Sequence, residues 1–152
     1  MSHFTSFAFG NLSCNAFLIT WGTFVSFAQK TKEQNVPQVI KNALHEKFPN
    51  AAEVKWDKEK NNYEASFKNN KVDNSILFNA NGKIIETEIA ITVSQLPKKA
   101  LQYLNDNFKN QKVKEAAKII TGKGNLIYEA EIKGKDIFFD ENGDFITKDK
   151  VS

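Results

Sequence analysis

Phe78-Asn79-Ala80-Asn81-Gly82 and Phe139-Asp140-Glu141-Asn142-Gly143 are one turn written twice in a chain of 152 residues. Upstream of each, Tyr63-Glu64-Ala65 answers to Tyr128-Glu129-Ala130. Further upstream, Val36-Pro37 is followed eleven residues after the proline by Phe48, and Leu96-Pro97 eleven residues after the proline by Phe108. The chain is therefore a tandem repeat of roughly sixty residues per unit, and such a period sets the architecture before any single residue is weighed. A unit of that size buries too little surface to be secure alone, so the two halves are expected to share one core.

Both units open with a helix signal. Val36, Ile40, Ala43, Leu44 and Phe48 recur at helical spacing behind Pro37, which suits a first turn, and Pro49-Asn50 stops the run. Leu96, Ala100, Leu101, Leu104 and Phe108 repeat the stripe, with Ser94 a candidate cap. The period then changes from 3.6 to 2. Val54 and Trp56, then Tyr63, Ala65 and Phe67, then Ile76 and Phe78 alternate with polar residues, and Asn81-Gly82 signals a two-residue hairpin. A further strand runs from Lys83 toward Val93, and the second half repeats the scheme to Phe145-Ile146. The predicted class is α+β: a tandem repeat of one helix plus about four antiparallel strands, giving a continuous curved antiparallel sheet with two helices on one face. The units are residues 36–93 and 94–148 of a single domain spanning 36–152, and residues 29–35 are a flexible lead-in.

Residues 1–28 contain no Lys, Asp or Glu and hold six of the thirteen phenylalanines. The apolar run Ala16 to Phe27 is short of the roughly twenty residues that a membrane span needs. Ser26-Phe27-Ala28 places small residues where a signal peptidase reads. Residues 1–28 are therefore expected to be a secretory signal cleaved near Ala28, leaving a periplasmic or secreted protein without an integral membrane span. Cleavage removes Cys14, the only cysteine, and with it any thiol or disulfide chemistry.

Composition argues against several classes of function. The net charge is only +3, and all 21 basic residues are lysine. Arginine supplies the planar fork for phosphate and guanine, so no nucleic-acid partner is expected. Beyond His3, only His45 could serve a Ser-His-Asp arrangement, and no Gly-x-Ser-x-Gly elbow presents a serine. One histidine without cysteine makes a poor zinc site. Asp140, Asn142 and Asp144 have the spacing of a calcium loop, but Gly143 falls one position early and no Glu closes the set, so a hairpin turn explains them better. No cofactor and no metal are expected. Glu86 with Glu88, and Glu129 with Glu131, are paired on strand faces that should be solvated.

Alternation places Leu77, Ile84, Glu86, Glu129, Glu131, Phe138 and Phe145 on the side of the sheet away from the helices, if Asn142-Gly143 is a two-residue turn. Exposed aromatics on such a face favour recognition, so these residues are the candidate binding surface. The expected partner is a protein or peptide of the cell envelope. The alternative is a small ligand or metal ion held by the same carboxylates.

The segments Val36-Pro37-Gln38-Val39-Ile40, Phe48-Pro49-Asn50-Ala51, Val54-Lys55-Trp56, Tyr63-Glu64-Ala65-Ser66-Phe67 and Phe78-Asn79-Ala80-Asn81-Gly82-Lys83-Ile84 together resemble the PepSY-like family of beta-lactamase-inhibitor-like proteins. The resemblance covers roughly Val36 to Ile146, both repeats included. It implies an exported, non-enzymatic protein with a tandem helix-plus-sheet fold like that of the secreted beta-lactamase inhibitor protein, whose concave sheet face grips a protein target. The matching residues are prolines, turn glycines and core aromatics. The inhibitor's disulfides have no counterpart here, and no inhibitory residue carries over.

Overall fold

The computed structural model describes residues 29–151. Nine strands form one antiparallel sheet in simple sequence order: β1 (Gln29–Thr31), β2 (Ala52–Glu59), β3 (Asn62–Asn69), β4 (Val72–Phe78), β5 (Ile84–Ile91), β6 (Glu115–Thr121), β7 (Leu126–Ile132), β8 (Lys135–Asp140) and β9 (Phe145–Ile146). Helices α1 (Gln38–Lys47) and α2 (Lys98–Asn107) interrupt the meander. The expected signal segment, residues 1–28, lies outside the described residues.

The lead-in expected at residues 29–35 is instead structured. Gln29–Thr31 is an edge strand that pairs Gln29 with Lys58 and Thr31 with Trp56, and it adds a ninth strand to the sheet. A 3-10 turn, Glu33–Asn35, then leads into Val36 and Pro37. Strand β5 feeds α2 in the same way through the 3-10 turn Val93–Gln95. Ser94 does not cap α2, because it sits inside that turn. Gln95 Oε1 accepts the backbone N–H of Thr92 at 2.8 Å.

Both helices lie on one face of the sheet. Phe67, Asn74, Ile89, Lys118, Tyr128, Phe139 and Phe145 are successive cross-strand neighbours and so share a side. At one end of this row, Val36, Ile40 and Leu44 pack with Trp56, Tyr63, Ala65, Phe67, Ile76 and Phe78. At the other, Leu96, Ala100 and Leu104 pack with Ala116, Ala130, Ile132, Ile137 and Phe139. Phe78 and Phe139, repeat-equivalent residues, are wholly buried. Each such ring contributes about 1.5–3 kcal/mol by leaving water.

The repeated turn has three residues, not two. Asn79 donates its N–H to Lys83 O at 2.9 Å, and Asp140 does the same to Asp144 O at 2.9 Å. Asn79 Oδ1 accepts the N–H groups of Asn81 and Lys83, and Asp140 Oδ1 those of Asn142 and Asp144. Gly82 and Gly143 close the loops in the left-handed region, at φ +79° and +84°. This is a turn followed by a left-handed residue, the usual three-residue hairpin. Each loop also presses on the start of its helix. A Cβ at Gly143 would lie 2.6 Å from Pro97 Cβ, and one at Gly82 would lie 3.2 Å from Val39 O.

Gly143→Ala combines left-handed strain with overpacking and is expected to lose about 2–4 kcal/mol of unfolding free energy in urea. Gly134→Ala, at φ +73° with nothing within 4 Å of the added Cβ, should lose only about 1 kcal/mol. Equal losses would show that the loop does not bear on α2.

Candidate binding face

The turn length decides which side chains reach the helix-free face. With three-residue loops, Phe139 pairs with Phe145 and Phe138 with Ile146. Phe145 therefore lies on the helix side, where its ring stacks on Tyr103 of α2 at 4.9 Å with the planes 3° apart. Ile84 likewise pairs with Phe78 and packs against the first core. Both had been expected on the open face, and the extra loop residue reverses them. A bulge beyond Ile84 then restores alternation, since Leu77 pairs with Glu86.

Leu77, Glu86, Glu129, Glu131 and Phe138 do share the helix-free face. Glu64 faces Leu77, Leu77 faces Glu86, and Glu86 faces Thr121. One step along, Ser75 faces Glu88 and Glu88 faces Ile119. Glu129 faces Phe138, and Glu131 faces Asp136. Ile119, Ile127 and Phe138 form a buried apolar cluster with Val151, and Ile146 packs against it. The C-terminal turn Lys148–Lys150 brings Val151 onto this side. Glu59, Glu64, Ser75, Leu77 and Glu86 line a shallow dent at the other end.

Of the carboxylates expected to be solvated, Glu86 and Glu129 are buried and Glu88 and Glu131 half-buried, and Glu64 joins the buried set. Glu64 is 9% exposed, Glu86 5% and Glu129 6%. Packed against one another, they push each other's affinity for protons upward. Burial raises Glu86 from 4.5 to about 7, helped by the charge of Glu64. Glu88, which keeps partial access to water, rises to about 8 through desolvation and then the charges of Glu86, Glu64, Asp136 and Glu115. Desolvation also raises Glu64, with the Ser75 hydroxyl opposing it. Glu129 is raised by burial, then by Glu88 and Asp136. Asp136 is raised by burial, with Lys148 opposing.

Glu64 and Glu129 occupy equivalent places in the two repeats, but their neighbours differ. Ser75 Oγ donates to Glu64 Oε1 at 2.6 Å. Where the first half has this serine, the second has Asp136, two residues before Phe138 as Ser75 is two before Leu77. Asp136 has no proton to donate when ionised. Glu129 Oε2 is accordingly buried with no hydrogen-bond donor among the described residues. Glu129 and Asp136 lie within hydrogen-bonding reach of each other, so the pair is satisfied when the two carboxyls share a proton.

Sequence reading singled out Glu129 but not the company it keeps. Glu64, Ser75, Asp136, Ile119 and Ile127 all join the face by the same alternation, which was followed only for aromatics and paired acids. His45 is exposed on α1. Among the described residues, no three His, Cys, Asp or Glu side chains are grouped to hold a metal ion. Asp140 is engaged by its own turn, and Asp144 meets Lys99 at 2.8 Å.

Two predictions follow from this geometry. A carboxyl whose folded pKa exceeds its unfolded value binds more protons when folded. Stability is then greatest below the unfolded value of 4.5 and falls as pH rises through about 7 for Glu86 and about 8 for Glu88. Thermal melts should show Tm falling from pH 5 to pH 8. Glu129→Gln, or Asp136→Ser, should raise stability at pH 8 by about 1–2 kcal/mol and flatten the profile; an unaltered slope in both variants would mean that this pair does not titrate. Phe145→Ala should lose about 1 kcal/mol through the Tyr103 stack while leaving the open face intact, as urea melts and amide chemical shifts on β7 and β8 would report.

The family profile described as "Putative beta-lactamase-inhibitor-like, PepSY-like" matches this sequence twice, over residues 20–86 and 61–147. A solved protein of Bacteroides eggerthii DSM 20697, described as "putative periplasmic", shares the fold at a TM-score of 0.68 and 20% identity, covering 74% of this chain and 86% of its own. A DUF2874 family protein from Bacteroides uniformis ATCC 8492 gives 0.67 at 19% identity, covering 73% and 86%. A BLIP-like protein from Bacteroides fragilis NCTC 9343 gives 0.58 at 23% identity, covering 73% and 83%. No curated protein matches. No helix among the described residues is long and apolar enough to cross a membrane. With both halves matched in sequence and the sheet-and-helix arrangement shared with these structures, the chain belongs to the PepSY-like, beta-lactamase-inhibitor-like family.

Proposed function

We propose that this protein is a non-enzymatic, exported binding module that holds a protein or peptide on the helix-free face of its sheet. The observation that carries the reading is the asymmetry of the two faces. Both helices cover one side; on the other, half-buried Leu77 lines a dent with Glu59, Glu64, Ser75 and Glu86, and half-buried Ile146 lies against the buried Ile119, Ile127 and Phe138. Half-buried apolar side chains set among polar ones on a helix-free face are what a partner surface offers. Likeness to a BLIP-like protein supports protein binding as the general mode. A periplasmic address, reached after cleavage near Ala28, agrees with the description of a structural neighbour.

Capture from a cell-envelope fraction tests the reading. The bait is the full chain, compared with a Leu77→Gln, Ile146→Gln double variant whose fold is verified by circular dichroism. Both positions are half-buried, and because Ile146 packs against the Ile119, Ile127 and Phe138 cluster, the fold check precedes the capture. Phe145→Ala, on the helix side, is the control. Loss of capture by the double variant alone is expected. Equal capture by all three proteins would remove this face as the binding surface.

A further inference from the structure

On its helix side the second repeat carries an aromatic shelf that the first lacks. Phe145 is 45% exposed. One face of its ring stacks on Tyr103 of α2, with centroids 4.9 Å apart and planes 3° apart. The buried Phe139 meets Tyr103 and Phe145 edge-on, at 5.6 Å and 6.5 Å. The exposure of Phe145 therefore comes from the outer face and rim of its ring. Counting from the paired prolines, the first repeat has Ala43 where the second has Tyr103. Counting from the paired turn glycines, it has Ile84 where the second has Phe145. Ile84 is half-buried and packs against the first core. The first half thus closes its core with an isoleucine at this place, and packing alone does not call for a flat ring left open to water.

Phe145 and Tyr103 line an open groove of about 300 Å³ between α2 and the turn that precedes β9. Its rim is polar: Gln102, Asp106 and Asn107 come from α2, and Lys99 and Asp144 close one end. Most of the charge on this rim is already matched. Lys99 Nζ donates to both oxygens of Asp144, at 3.0 and 2.8 Å. Gln102 Nε2 donates to Asp106 at 3.0 and 2.9 Å, and Asn107 Nδ2 donates to the Tyr103 carbonyl at 2.9 Å. These contacts leave over the amide oxygens of Gln102 and Asn107, a second N–H on each amide, and the spare lone pairs of Asp106. The two aspartates disfavour an anion. A wholly apolar ligand would cover these amides without replacing their water.

We propose that this groove binds a neutral sugar, one pyranose unit of an oligosaccharide, with the flat C–H face of the sugar on Phe145 and its hydroxyls against Gln102, Asp106 and Asn107. A pyranose with equatorial substituents presents a flat array of C–H groups. These are weakly positive and suit the negative face of an aromatic ring. Around its edge lie hydroxyls that each donate and accept, which matches a rim of mixed amides and carboxylate. The volume is at the small end for ligand sites, room for roughly one or two sugar units. Because the groove is open to solvent, a longer chain can continue beyond it. The site lies on the opposite side of the sheet from the face assigned to a protein partner and does not depend on that reading.

Amide chemical-shift titration of the nitrogen-15-labelled full chain tests this, with cellotriose and tri-N-acetylchitotriose as probes. Shifts with at least one of these sugars should concentrate in residues 98–107 and 140–146. Phe145→Ile, which keeps an apolar side chain but removes the flat face, should weaken binding about tenfold. A Gln102→Ala, Asp106→Ala variant alters only exposed side chains of α2 and should weaken it as well, with an unchanged melting curve. The Leu77→Gln, Ile146→Gln variant, altered on the other face, should bind the sugar as the parent does. Absence of shifts with both sugars overturns the proposal, and so does equal binding by the parent and Phe145→Ile. Tighter binding of tetramethylammonium than of either sugar also overturns it, in favour of a cation held by the ring and Asp106. Tighter binding of N-acetyltryptophanamide overturns it in favour of an aromatic side chain from a partner protein.

Discussion

Two three-residue turns, each closed on a left-handed glycine and tied by the side chain of the residue that opens it, set the side taken by every residue in the strand that follows. In a sheet with period two, one loop residue more or less exchanges the faces. Asn79 and Asp140 fix the loop length by gathering the N–H groups of the loop onto one oxygen. Gly82 and Gly143 then allow the loops to approach the starts of α1 and α2. The same contact that sets register therefore seats each helix. Phe78 and Phe139, one residue before each turn, are directed into the cores that the helices close.

This arrangement leaves the two faces under different rules. On the helix side the repeats match closely, and apolar burial stabilises both halves in the same way. On the other side they diverge at one decisive position. Glu64 has the hydroxyl of Ser75 as a donor, whereas Glu129 has a second acid, Asp136. A serine would satisfy the second site as it does the first. Aspartate instead makes the site depend on a proton held between the two carboxyls. That substitution works against folding at neutral pH, and it lies on the one face that no helix covers.

Much of this was legible in the sequence, and the parts that were not have physical reasons. Helices α1 and α2 were readable because Ile40 and Leu44, like Ala100 and Leu104, form stripes between a proline and a terminal phenylalanine. Strands were readable because Tyr63, Ala65 and Phe67 alternate with polar residues. The sides of Ile84 and Phe145 were not, because Asn-Gly signals a hairpin without stating its length, and the side-chain oxygens of Asn79 and Asp140 choose the longer form. Burial of Glu86 and Glu129 was hidden for another reason. Alternation tells which way a side chain points but not how much lies beside it, and the cover comes from residues remote in sequence, such as Val151 against Phe138. Edge strand β1 was hidden because Gln29, Lys30 and Thr31 carry no apolar pattern; only pairing with β2 makes them a strand.

The cost of burying Glu64, Glu86 and Glu129 is set against a small margin of stability. Marginal domains tolerate only a few kcal/mol of uncompensated burial, and two repeats in one sheet set two apolar cores against these acids. Joining the halves through β5 and β6 places Glu86 and Glu88 beside acids from both repeats. Duplication thus does more than enlarge the core. It assembles, across the seam, a group of carboxyls drawn from both units.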